Sequence, residues 1–204
     1  IVQVLAEVGA DMSGLTIVEF MKAAKSGDES RVRALLESGV AIEVKGGGDF
    51  TALMNASMLG HESCVRFLLE AGADVHAKNT HGSTALTCAS EYGHEACVRA
   101  LLAADADVHV SDGDGDTSLV GASARGHDSI VQLLLEAGAD KDVKNNAGNT
   151  ALMYACMFGH EACVRVLLEA GADKKAKDND GKTALVHASE EGHEAIVTLL
   201  SGSE

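Results

Sequence analysis

The sequence predicts an all-α repeat solenoid, a stack of antiparallel helix pairs joined by β-hairpin-like loops. Three observations carry this. Thr51, Thr84, Thr117, Thr150 and Thr183 stand 33 residues apart. Gly60, Gly93, Gly126, Gly159 and Gly192 keep the same step, each directly before a histidine (His61, His94, His127, His160 and His193). Between these marks each period reads as two short helices. Coincident ladders of this kind mark supersecondary units that bury their apolar faces against their neighbours.

The period from Gly82 to Leu102 shows how each element is specified. Thr84 opens the first helix, because its hydroxyl can accept a hydrogen bond from an amide left unpaired in the first turn. Gly93 ends that helix in a left-handed conformation. The second helix carries Cys97, Val98, Leu101 and Leu102, an i, i+1, i+4, i+5 pattern that lays an apolar stripe on one side. Gly72, Gly138 and Gly171 mark the end of the second helix in their own periods. A short polar stretch then turns back toward the next threonine.

Composition agrees with this architecture. Hydrophobic residues make up 46% of the 204, enough for a core, whereas aromatics make up 3% and tryptophan is absent. The core is therefore built from small and medium aliphatic side chains, and the helices must approach closely. Proline is absent and glycine numbers 22, so the turns depend on residues that tolerate positive φ. A formal net charge of −15 repels phosphate backbones and anionic lipid, which argues against nucleic acid as a partner. No stretch reaches the roughly 18 unbroken apolar residues of a membrane-spanning helix. The five cysteines show no disulfide pattern, and this predicts a reducing, intracellular compartment, cytoplasmic or nuclear.

The repeat resembles the ankyrin repeat family. That family shares the 33-residue length, a Thr-Pro-Leu-His stretch, a Gly-His turn and a Leu-Leu-x-x-Gly-Ala-Asp ending. The resemblance implies an L-shaped stack whose hairpin tips and first helices line a concave surface. It also implies protein binding rather than catalysis. Two departures stand out. The family's proline is replaced by Ala52, Ala85, Ser118, Ala151 and Ala184, and its histidine by Met54, Thr87, Val120, Met153 and Val186. Alanine forms helix better than proline fixes its start, so the fold is retained. Asp105 stands where other repeats have the stop glycine, and a left-handed conformation there costs about 1 kcal/mol.

One ankyrin-type domain is expected over residues 1–204. Residues 1–11 read as the tail of a preceding repeat, since Ile1 to Asp11 matches Ile130 to Asp140 at eight of eleven positions. Repeats follow at 12–45, 46–78, 79–111, 112–144 and 145–177, with an incomplete terminal repeat at 178–204. Thr16 and Glu19 read as a capping box for the first helix of repeat 12–45. Ile196, Val197, Leu199 and Leu200 repeat the interior pattern without a polar cap, so stacking onto further repeats or self-association through uncapped ends is expected.

No cofactor or metal is expected. Cys64, Cys97 and Cys163 share a repeat position with Ile130 and Ile196, which marks a core site rather than a ligand set, although His61, His94 and His160 precede them by three. Asp112, Asp114 and Asp116 alternate like the start of a calcium loop, but Thr117 and Ser123 stand where its glycine and bidentate glutamate belong. No nucleophile with a base at hand appears, so the chain does not read as an enzyme. The resemblance places partner binding on positions that vary between repeats. Before the Gly-His turns these are Met58, Leu59, Glu91, Tyr92, Arg125, Met157 and Phe158. On the hairpin tips they are Phe50, His81, Ser83, Asp114, Asp116, Asn149 and Lys182.

Overall fold

The computed structural model describes residues 12–202, so the reading of residues 1–11 as a repeat tail lies outside the described residues. Twelve α-helices fill this span. They are α1 (Met12–Ser26), α2 (Glu29–Glu37), α3 (Ala52–Met58), α4 (Glu62–Glu70), α5 (Ala85–Glu91), α6 (Glu95–Ala103), α7 (Ser118–Arg125), α8 (Asp128–Glu136), α9 (Ala151–Met157), α10 (Glu161–Glu169), α11 (Ala184–Glu190) and α12 (Glu194–Ser201). Odd-numbered helices pack on odd-numbered neighbours and even on even, while each odd helix also packs on the even helix that follows it. This is the all-α stack that the spacing predicts.

Threonine caps set the register. The Thr51 hydroxyl accepts the Met54 amide at 3.2 Å, and Thr84 accepts the Thr87 amide at 3.3 Å. Thr117, Thr150 and Thr183 do the same for Val120, Met153 and Val186. Thr87 adds a reciprocal bond, since its hydroxyl oxygen accepts the Thr84 amide at 2.7 Å. One departure from the family stretch thus rebuilds a cap from the other side. The expected capping box at Thr16 is corrected: Thr16 lies inside α1, which already begins at Met12.

The core is a column of small residues flanked by leucines. Ala52, Ala56, Ala85, Ala89, Ala151 and Ala155 are each at most 2% exposed, so first helices approach one another without intervening bulk. Cys64, Cys97, Cys163, Ile130 and Ile196 are all buried at the shared position, as the exchange with isoleucine predicts. Leu102 is only half-buried, so the inner stripe of α6 is Cys97, Val98 and Leu101. Glu62 with Arg66 and Glu95 with Arg99 form i, i+4 pairs on exposed faces, where solvent screening leaves such pairs little weight in stability.

The loops between repeats are tighter than hairpins of two strands. In each, the amide of residue i donates to the carbonyl of residue i+4, and the amide of residue i+3 donates back to the carbonyl of residue i: Gly46 with Phe50, Asn79 with Ser83, Asp112 with Asp116, Asn145 with Asn149 and Asp178 with Lys182 mark the first kind. An isolated bridge joins Ser111 and Thr117. Successive tips are tied by amides donated to the carbonyls of His81, Asp114 and Ala147 from Gly113, Asn146 and Asn179, at 2.8 to 3.1 Å.

Asp105 has φ 60°, the left-handed conformation that its place in the register demands. At the last repeat, Leu185 and Val186 are 36% and 38% exposed, whereas their counterparts Leu152 and Met153 are 1% exposed beneath the next helix pair.

Candidate functional site

Two rows of side chains run across the repeats. One follows the ends of the first helices: Leu59, Tyr92, Arg125, Phe158 and Glu191. The other precedes the capping threonines: Phe50, Ser83, Asp116, Asn149 and Lys182. Between them lies a groove of about 860 Å³. Phe50, Met58, His81, Ser83, Glu91, Tyr92, Asp114, Asp116, Arg125 and Phe158 all line it. Leu59, Asn149, Met157 and Lys182 do not. Leu59 is exposed. The Met157 carbonyl accepts from His193, and Lys182 pairs with Glu190 at 2.6 Å.

Sequence reasoning missed the groove floor. Thr87, Cys88, Gly121 and Tyr154 also line it, from the middle of the first helices. The signal was present as helical periodicity, because Cys88, Gly121 and Tyr154 lie one turn before Tyr92, Arg125 and Phe158. Tyr154 and Phe158 stack with ring centroids 6.1 Å apart. The Tyr92 and Phe158 rings remain 54% and 51% exposed.

The aspartates divide by role. The Asp112 carboxylate accepts the amides of Asp114 and Asp116 at 3.0 and 2.9 Å. Asn79, Asn145 and Asp178 staple their own loops in the same way, so Asp112 is a hairpin residue rather than the head of a calcium loop. Asp116 is half-buried. Desolvation pushes its carboxyl above the usual range, while the Asn145 amide donates to it at 2.7 Å and pulls the other way. Glu91 is held by Arg125 at 2.8 Å. Burial pushes the Cys88 thiol up to about 12, which leaves it protonated and unreactive at neutral pH.

Helix pairs repeated in register, capped alike and tied tip to tip define a repeat solenoid, and a groove lined by its variable positions is the surface such a frame presents. The family model described as ankyrin repeats (3 copies) matches residues 20–112 and 119–204, and the chain belongs to the ankyrin repeat family. Ankyrin repeats are generally protein-interaction modules and typically non-catalytic. No curated protein matched the chain. Among the described residues, no helix is long and apolar enough to cross a membrane.

Proposed function

We propose that this chain is an intracellular, non-catalytic scaffold that binds a partner protein along the concave groove. One observation carries the reading: in a chain with six aromatic residues, Tyr92 and Phe158 stand half-exposed in the same groove as the variable tips. Exposed aromatics on a rigid frame are the usual anchors of an interface, and a standard interface covers about 800 Å² per partner. The partner-binding set is Phe50, Met58, Leu59, His81, Ser83, Glu91, Tyr92, Asp114, Asp116, Arg125, Asn149, Met157, Phe158 and Lys182. The test is recovery of partners from cells by the wild type and by the Tyr92→Ala, Phe158→Ala double variant. The variant should lose them at an unchanged melting temperature, and undiminished recovery would sink the reading.

A second reading, stacking of further repeats or of another copy, draws on the exposure of Leu185 and Val186 where inner repeats bury the same positions. Sedimentation velocity across a hundredfold concentration range should then show association that Leu185→Asp abolishes.

A further inference from the structure

The groove is not uniform along its length. Four residues after their capping threonines, Cys88, Gly121 and Tyr154 face it from successive repeats. The glycine leaves a notch between a thiol and a phenol. A Cβ built on Gly121 would meet only Glu91, at 3.6 Å or more, so close packing does not require glycine there. Glycine inside a helix is disfavoured relative to alanine, because it loses more backbone freedom on folding.

Carboxylates gather at the same place. Asp112, Asp114, Asp116 and Glu91 line the groove against one guanidinium, Arg125, which Glu91 already holds. Among the described residues, no basic side chain pairs with the three aspartates. The Asn145 amide donates to Asp116 at 2.7 Å and to the Tyr154 hydroxyl at 3.1 Å, which fixes acid and ring side by side. The adjacent tips carry no carboxylate, with His81 and Ser83 on one side and Asn146 and Asn149 on the other. Tyr92 and Phe158 flank this centre two repeat steps apart. At about 8–10 Å per step, that is five or six residues of extended chain at about 3.3 Å each.

We propose that the notch at Gly121 receives a lysine or arginine side chain of an extended partner segment, with apolar residues about three positions to either side resting on Tyr92 and Phe158. This rests on the docking reading above and adds the chemistry of the occupant. The charge complementarity steers encounter, and the rings supply apolar contact. The desolvation of the Asp116 carboxyl fits the same assignment, since a cation placed beside it favours the ionised form.

The probe is a displayed library of random twelve-residue peptides, selected on the wild-type chain and followed by affinity measurement on a synthesised winner. Enriched sequences should carry a cation with apolar flanks. The winner should lose about tenfold or more in affinity for Gly121→Leu, for the Asp114→Asn, Asp116→Asn pair, and when its own cation becomes glutamine. Melting curves establish that each variant is folded, and the glutamine peptide gives an answer independent of any change in the protein. No enrichment, neutral or acidic winners, or unchanged affinities overturn the cation assignment. If such winners still lose binding to Tyr92→Ala, Phe158→Ala, the docking reading survives alone; if they bind that variant equally well, both fall.

Discussion

His94 reaches back across the stack, its Nε2 standing 2.9 Å from the carbonyl oxygen of Met58 in the preceding repeat. A carbonyl only accepts, so Nε2 carries the proton. The same bond joins His61 to Lys25, His127 to Glu91, His160 to Ala124 and His193 to Met157. Each histidine satisfies a carbonyl at the end of the neighbouring first helix, where helix geometry leaves acceptors unpaired.

Inside the stack this contact adds a second reason, beside the positive φ, for glycine before the turn histidine. A Cβ on Gly60, at φ +75°, would stand 2.5 Å from His94 Nδ1, whereas one on Gly192, at φ +76°, would meet nothing within 4 Å. Gly192→Ala should therefore cost only the left-handed strain, about 1 kcal/mol. Gly60→Ala should cost about 2–3 kcal/mol, because the imidazole must also leave its carbonyl. Urea denaturation of the two variants checks this, and equal losses would show that the histidine contact contributes nothing.

Asp105 is the reverse case. It holds φ 60° where the register uses glycine, and Asp105→Gly should raise stability by about 0.5–1 kcal/mol. A rise in the thermal midpoint is the readout. A fall would mean that the aspartate is held by more than its backbone.

Equivalent leucines should differ by their place in the stack. Leu152→Ala, at a position 1% exposed, should cost about 2–5 kcal/mol through lost burial and a cavity. Leu185→Ala, at a position 36% exposed, should cost under about 1 kcal/mol. Comparable losses at the two sites would contradict the burial difference.

Acid should weaken the last loop. Burial alone would raise the Asp178 carboxyl, but the amides of Lys182 and Asp180 and the His187 imidazole at 2.8 Å outweigh it and hold the group below its usual range. A depressed acid contributes stability that is present above its unfolded value near 3.9 and is lost as pH falls through the lower folded value. Asp178→Asn keeps an acceptor for both amides, as Asn79 and Asn145 do in their loops. It should flatten the decline of the denaturation midpoint below about pH 4. Parallel pH curves for the two proteins would refute the assignment.

By itself the sequence determined the frame. The 33-residue threonine step fixed where first helices start, the glycine step where they stop, and the exchange of cysteine with isoleucine which face is core. These are local signals, readable because helix caps and apolar periodicity act within a few residues. Thr16 misled for the same reason, since a capping pattern inside a longer helix looks like one at its start.

Only the tertiary structure decided what the repeats do to one another. The bond from His94 to Met58 joins residues 36 apart, and the clash that reserves Gly60 comes from the next repeat. The groove has the same origin: ten of the fourteen variable positions line it, yet its floor at Cys88, Gly121 and Tyr154 appears only when three helices lie side by side. The physical reason is that a repeat cannot bury its own apolar face, so each one is completed by contacts its own residues do not spell out.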